Sequence, residues 1–368
     1  MSGATHTFRT WWNRGVSFFT RNIVERIVLR KAIERFYLVF GGHIFFQTLR
    51  AAAQFDLFSL LAKEPGLTLE EIAARLDLQQ QPVRIMLLGL VSSGFLRKSG
   101  PRYYNRRTTT ELLTPDSPRN ILPYVELEHH VMYRGMPHFD EAIRQYRNVG
   151  LEEFAGDEPT LYQRLAHTPD IEKVFHDAMS VLSVQTNAML ARFLDLSDVK
   201  HLVDVGGGDG TNIMTLARKY PHLKASVFDF PSVCEIAREK IREAGMDDRL
   251  DAIPGHAFEN DFPEGADCFL FAHFFTIWSE EKDRLLLMKA YDVLPAGGKV
   301  VVFNMMQHDD GTGPLSAAVG SPYFLTIATG EGMLYTWNEY EQWMKDAGFS
   351  RVYRRRLPRD HGAIIGVK

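Results

Sequence analysis

The sequence predicts an α/β fold, a doubly wound sheet preceded by a helical front half with a winged-helix-like unit. Three observations predict it. From residue 199 onward the β-rich runs KHLVDVG, KASVFDF, LDAIPG, ADCFLFAHF and GKVVVFNMM have helical patterns between most of them, the signature of βαβ units. Between about residues 43 and 122 short amphipathic helices lead into a hairpin. A chain of 368 residues, 45% apolar and 24% charged, is long enough for two domains with cores of their own. The net charge of −4 excludes a histone-like polyanion binder. Cys234 and Cys268 stand in no metal-like spacing, which argues against a disulfide framework and a thiolate cluster.

Residues 1–37 read as a basic amphipathic extension. Residues 1–40 carry seven basic and two acidic side chains, a balance of +5 that leaves −9 for the rest. Trp12, Val16, Phe19, Ile23 and Ile27 share one helical stripe with Arg14 and Arg21 opposite, a pattern open to a membrane surface, a transit peptide or a partner helix. Arg26 and Arg30 return to that stripe, which favours packing on the protein itself or on a dimer mate. No apolar run reaches the roughly 18 to 20 residues of a membrane span, and no secretory signal pattern is present. A cytoplasmic protein without an integral membrane segment is expected, with residues 1–37 the only candidate for peripheral membrane contact.

Residues 38–122 read as the winged-helix-like domain. Thr68 and Glu71 form a capping box for LEEIAARL, whose Leu69, Ile72, Ala73 and Leu76 make an apolar face. A second helix begins after Pro82, and RKSGPRYYN forms two strands around Ser99-Gly100-Pro101. That second helix offers only Arg84 to a phosphate, and its Met86, Leu87, Leu88, Leu90 and Val91 read as buried, so no nucleic-acid partner is expected. Residues 123–195 read as a helical linker and pocket wall, broken at Gly150, Gly156, Pro159 and Pro169, with a cluster of Glu126, Glu128, His129, His130, Tyr133 and His138.

Residues 196–368 carry the strongest motif, Asp204-Val205-Gly206-Gly207-Gly208-Asp209-Gly210-Thr211-Asn212, where a buried strand turns into a helix. The spacing is GxGxG rather than the dinucleotide GxGxxG, and Asp209 would repel a pyrophosphate, so the acids suit a cationic ligand. Asp229, ending the next strand 19 residues after Gly210, stands where a carboxylate can accept both ribose hydroxyls.

These residues resemble the class I S-adenosylmethionine-dependent methyltransferases, and among them the small-molecule O-methyltransferases of plant and bacterial secondary metabolism. The resemblance spans roughly residues 40 to 368 and rests on DVGGGDG, FDFPSV, PGHAF, WSEEKDRLLLMKAYDVLPAGGKVVVFN and TWNEYEQWMKDAGF. It implies a Rossmann-like sheet, S-adenosylmethionine as cofactor, a small-molecule methyl acceptor and a homodimer formed through the front half. Carried over by position, Asp204, Gly206, Gly208 and Gly210 would form the cofactor loop, with Gly206 and Gly208 lining the methionine moiety. Asp229 would hold the ribose and Phe230 would pack beside the adenine. His256 replaces the usual acid at the adenine edge, Ala257 and Phe258 join the cofactor set, and Trp278 would stack on the ring.

The departures concern the acid–base device. Where the family has His-Asp before the tryptophan, this chain has Thr276 and Ile277, and the two acids that orient that histidine align with Asn304 and Leu334. Methyl transfer needs a base only if the acceptor arrives protonated, since holding the nucleophile in line supplies several kcal/mol by itself. Three readings stay open: a base from His129, His130 or His138; an acceptor already ionised; or proximity alone, with Thr276 or Asn304 hydrogen-bonding the acceptor. No metal is expected, since His273 and His308 lie on different elements without metal-like spacing. SPYFLTIATGEGM also resembles a bacteriochlorophyll-type C-methyltransferase, with Pro322 at the position of that enzyme's histidine. Gly330, Glu331 and Gly332 read as a hinged lid that brings a carboxylate near the acceptor, and Thr336 with Glu339 as a capping box. The expected function is methylation of a small metabolite, with oxygen the favoured nucleophile. Carbon methylation and a non-catalytic cofactor-binding regulator are the alternatives.

Overall fold

A computed structural model describes residues 29–368, so the Trp12–Ile27 stripe lies outside the described residues. The chain forms two compact units that divide between Leu122 and Pro123.

In the first unit Thr68 caps the Leu69–Arg75 helix reciprocally with Glu71, and Ile72 and Ala73 are buried. Such a cap contributes about 1 kcal/mol. Strand β1 (Leu67–Thr68) pairs with β3 (Arg102–Asn105), which pairs with β2 (Leu96–Ser99), all antiparallel. The hairpin is therefore a three-stranded sheet, because Leu67 and the capping Thr68 are extended and join it. Two expectations change here. The second helix spans Gln80–Ser92 and starts before Pro82, which the first helical turn accommodates because an N–H there has no intrahelical partner. It is also not buried all round: Val83, Met86, Leu87 and Leu90 face the core, whereas Leu88 is 71% and Ile85 64% exposed.

In the second unit short helices lead into the long Pro169–Phe193 helix and then a seven-stranded sheet. Its strands are β4 (His201–Val205), β5 (Lys224–Asp229), β6 (Leu250–Pro254), β7 (Cys268–Ala272), β8 (Lys299–Met305), β9 (Arg351–Arg356) and β10 (His361–Val367). They lie in the order β6-β5-β4-β7-β8-β10-β9, parallel except for β10, which runs antiparallel to both neighbours. The central strands read as continuous apolar runs because both faces are covered. Leu202, Leu270, Val301 and Phe303 point to one cluster, and Val203, Val205, Phe269, Phe271, Val300 and Val302 to the other. The chain leaves β4 toward β5 on one side and returns to β7 on the other. The crevice at the carboxyl ends of β4 and β7 is the topological switch point, where open α/β sheets bind ligands.

Candidate cofactor and acceptor site

The loop after β4 is shaped by its glycines. Gly206 has φ +70°, and a side chain there would run into the ring of Phe274. Gly208, at φ +58°, would meet nothing, so its backbone borders open space. Asp229 fixes the loop from the neighbouring strand: one carboxylate oxygen accepts the Gly208 N–H at 3.0 Å, the other the Phe230 N–H at 2.7 Å. Burial pushes the Asp229 carboxyl above its ordinary range, and these two N–H donors pull it back.

The other two acids behave differently from Asp229. Asp204 is fully buried beneath Gly207; one of its oxygens accepts from Asn212 at 2.9 Å and the other has no protein partner. Burial pushes it up to about 7, with Asn212 opposing and Asp229 and Asp209 adding. Asp209 was expected to draw a cationic ligand, but its charge is spent: Lys240 pairs with one oxygen, while the backbone and hydroxyl of Thr211 bond the other at 3.1 and 2.6 Å. Asp209 organises the start of the Thr211–Lys219 helix, leaving Asp229 as the acid at the loop's open edge.

Beyond Asp229 a row of rings closes the crevice. Phe230, 45% exposed, lies 5.4 Å from His256; His256 lies 5.9 Å from Phe258; and Phe258 meets Trp278 edge to face at 4.9 Å. The Trp278 Nε1 and His256 Nδ1 are buried without a protein hydrogen bond, although the Glu259 carboxylate lies 3.9 Å from the latter. The Ala257 carbonyl accepts from Lys289 at 2.7 Å. The structure thus brings Gly206, Gly208, Asp229, Phe230, His256, Phe258 and Trp278 together, with Gly210 closing the loop at φ +79°. A glycine-lined crevice, a strand-end carboxylate and a ring cluster with two orphaned buried nitrogens fit a nucleoside with a charged tail.

Sequence reasoning missed Lys282. Its ammonium sits 4.8 Å from the centroid of the Trp278 ring and pairs with Glu331. Glu331, expected as a free lid carboxylate, is therefore paired beside the ring cluster. Gly330 and Gly332 are also packed seams rather than free hinges: a side chain would strike Asn148 at the first and Thr276 and Ile277 at the second.

The expected acceptor-side residues separate into two groups. Thr276 is buried, with its hydroxyl donated to the His273 carbonyl at 3.3 Å. Asn304 is buried on β8, with its amide donated to the Tyr340 hydroxyl at 3.0 Å. Thr276 is thus engaged inside the core, whereas Asn304 lies on the strand face that packs against Tyr340 with its Oδ1 buried and without a protein partner. His129 and His130 instead lie on a π-helical turn, Glu128–Met132, with rings 4.9 Å apart and His130 Nε2 3.4 Å from Glu126. Such turns are rare and recur at functional sites. His138 is bound to Glu153 at 2.9 Å.

His273 lies 5.3 Å from His361, and burial, with His361 adding, lowers it to about 3, so it is neutral. No metal-ligand cluster occurs among the described residues. A cavity of about 570 Å³ over the ends of β8 and β10, lined by His308, Asp310, Trp337, Arg356 and His361, contains none of the expected residues.

A family described as the O-methyltransferase domain matches residues 137–350, and one described as the O-methyltransferase dimerisation domain matches residues 37–116. The chain is 38% identical over 336 residues to L-tyrosine C(3)-methyltransferase of Streptomyces lavendulae, covering 90% of this chain and 92% of the relative. It is 32% identical to 3-hydroxy-5-methyl-1-naphthoate 3-O-methyltransferase of Streptomyces sahachiroi, over 88% of this chain and 91% of that one. Among solved structures, the S-adenosylmethionine-dependent methyltransferase SibL in its apo form is similar with a TM-score of 0.81 and 36% identity, over 90% of this chain and 98% of that one. Human N-acetylserotonin methyltransferase in complex with S-adenosylmethionine is similar with a TM-score of 0.78 and 25% identity, over 92% and 97%. The chain belongs to the O-methyltransferase family of S-adenosylmethionine-dependent methyltransferases.

Proposed function

We propose that this enzyme methylates a hydroxylated aromatic small molecule, with the cofactor held in the crevice between the glycine loop and the ring row. The observation that carries the cofactor placement is the convergence of Gly206, Gly208 and Asp229 with Phe230, His256, Phe258 and Trp278 at the switch point. When bound, S-adenosylmethionine supplies a methyl group on positively charged sulfur that departs as a neutral thioether. In this reading Asp229 accepts the ribose hydroxyls, the backbone at Gly208 lets the charged tail approach, and Trp278 with Phe258 walls the adenine. The orphaned Trp278 and His256 nitrogens gain partners from the purine edge.

Hydroxylated aromatic acceptors are supported by the two relatives above, whose names place their reactions on a tyrosine and on a hydroxynaphthoate. Attack by the phenolic oxygen is the first reading, in keeping with the family. Attack by a ring carbon ortho to the hydroxyl is favoured by the 38% identity to a C(3)-methylating enzyme. Both start with removal of the phenolic proton, because an unperturbed phenol titrates at about 10, and attack through carbon is completed by loss of the proton from the methylated ring carbon, which restores the aromatic ring. Thr276 and Asn304 are buried and carry no group basic enough to take a phenolic proton, so we assign that step to the His129–His130 turn, where Glu126 is placed to orient the His130 imidazole. The enzyme acts as a homodimer in this reading, with the exposed Ile85 and Leu88 part of the covered surface. Among the described residues no helix is long and apolar enough to cross a membrane.

Incubation with the cofactor and a panel of hydroxyarenes, with the new methyl located by NMR, tests the function. A methoxy or an aryl-methyl product supports one branch each, and methylation confined to non-aromatic acceptors overturns the assignment.

The Asp204 carboxyl adds a pH dependence. Ionised Asp204 attracts a cation and protonated Asp204 does not, so affinity for the sulfonium cofactor is expected to strengthen as pH rises through about 7. Affinity for the uncharged thioether product changes less. Calorimetric titration below and above that value checks this, and Asp204→Asn is expected to flatten the profile.

A further inference from the structure

The helical part of the second unit holds a polar constellation that the cofactor site does not use. Two π-helical turns meet there, Glu128–Met132 and Phe324–Ala328, with Val131 of the first and Ile327 of the second in one apolar cluster. A polar side chain stands at the start of the first turn and another just before the second. Glu128 lies within hydrogen-bonding reach of the Tyr124 hydroxyl one turn earlier, and burial raises its carboxyl above the ordinary range while Tyr124 opposes. Tyr323, immediately before the second turn, has a buried hydroxyl without a well-formed hydrogen bond; it lies beside the Tyr162 hydroxyl and close enough to Tyr124 to influence it. Tyr162 in turn meets Phe175 edge to face at 5.8 Å. The four residues are half-buried, and the Tyr323 hydroxyl is enclosed.

A carboxylate so placed carries a desolvation cost that an ion pair would offset. Glu128 has no such pair among the described residues: Arg134 is directed at the Glu153 carbonyl and the Phe154 ring, and Arg164 at the Leu151, Phe154 and Glu158 carbonyls. The missing counter-charge is a cation. An acid bonded to one tyrosine, with two more tyrosines packed on the same cluster, is the chemistry that recognises an ammonium, by a charge-assisted hydrogen bond and by cation–π attraction.

We propose that Glu128, with Tyr124, Tyr162 and Tyr323, forms a subsite for a protonated amine carried by the acceptor, so that the enzyme takes amine-bearing hydroxyarenes. The proposal rests on the hydroxyarene reading and deepens it. Tyramine and 4-ethylphenol differ only by that amine and serve as probes, with binding measured in the presence of S-adenosylhomocysteine. The wild-type protein is expected to bind tyramine about tenfold or more tighter than 4-ethylphenol. Glu128→Gln, which keeps a hydrogen-bonding partner for Tyr124, is expected to abolish that preference while leaving 4-ethylphenol and S-adenosylhomocysteine binding unchanged.

Equal wild-type affinity for the two probes overturns the subsite while leaving the hydroxyarene reading intact. Equal loss of both probes in Glu128→Gln, or retention of the tyramine preference, overturns it as well. Failure of the wild type to bind either probe overturns the subsite, and failure to methylate any hydroxyarene overturns the underlying reading.

Discussion

Asp229→Ala is expected to weaken S-adenosylmethionine binding by two orders of magnitude or more and to bring turnover at ordinary cofactor concentrations near zero. The carboxylate has two tasks in this account. It receives the N–H groups of Gly208 and Phe230, which fixes the loop, and it receives the ribose hydroxyls, which selects the ligand. Hydrogen bonds to a charged group contribute about 1.5–3 kcal/mol each, and losing two of them corresponds to roughly a hundredfold or more in affinity. Calorimetry on the purified variant checks this, with a thermal melt alongside to show that the sheet is intact. Unchanged affinity would remove Asp229 from the cofactor site.

The second large effect concerns stability. Asp283 is fully buried on the Glu280–Val293 helix, neither carboxyl oxygen has a protein hydrogen-bond partner, and burial together with Glu331 raises its pKa well above the ordinary value. A carboxyl whose folded-state pKa is raised costs stability once the unfolded chain ionises. Asp283 therefore subtracts stability as pH rises above about 4, and its cost accumulates until the folded-state pKa is reached. Asp283→Leu keeps a similar shape, removes the stranded polar group and is expected to raise the Tm by several degrees at neutral pH. The stability gained by the variant over the wild type should also grow from mildly acid to neutral pH. Melts across that range check both; a lower Tm at every pH would show that the carboxyl is held by favourable interactions.

Much of the fold was legible because it rests on local rules. The strands covered on both faces are continuous apolar runs, and the capping boxes at Thr68–Glu71 and Thr336–Glu339 mark their helix starts. The crevice in which we place the cofactor follows from the same rules: Gly206, Gly208 and Asp229 sit at strand ends, and strand order alone brings those ends together.

What was not legible depends on partners distant in sequence. Asp209 reads as an open acid until Lys240, 31 residues later, is found against it. Glu331 reads as an acceptor-side carboxylate until Lys282 takes it to the Trp278 ring. Leu88 reads as core because apolar residues usually are, yet in the described chain it is exposed. Tyr124, Glu128, Tyr162 and Tyr323 span about 200 residues, and the π-helical turns that help place them break the 3.6-residue period on which sequence patterns rely.

The most direct test of the central claim follows an isotopically labelled methyl group from S-adenosylmethionine. The purified enzyme is incubated with the labelled cofactor and hydroxyarene acceptors, with Asp229→Ala in parallel. The account predicts label in an aromatic product, matched by an equal amount of S-adenosylhomocysteine, and almost none with the variant. Tight binding of S-adenosylmethionine by the wild type with no label transferred to any hydroxyarene would contradict it.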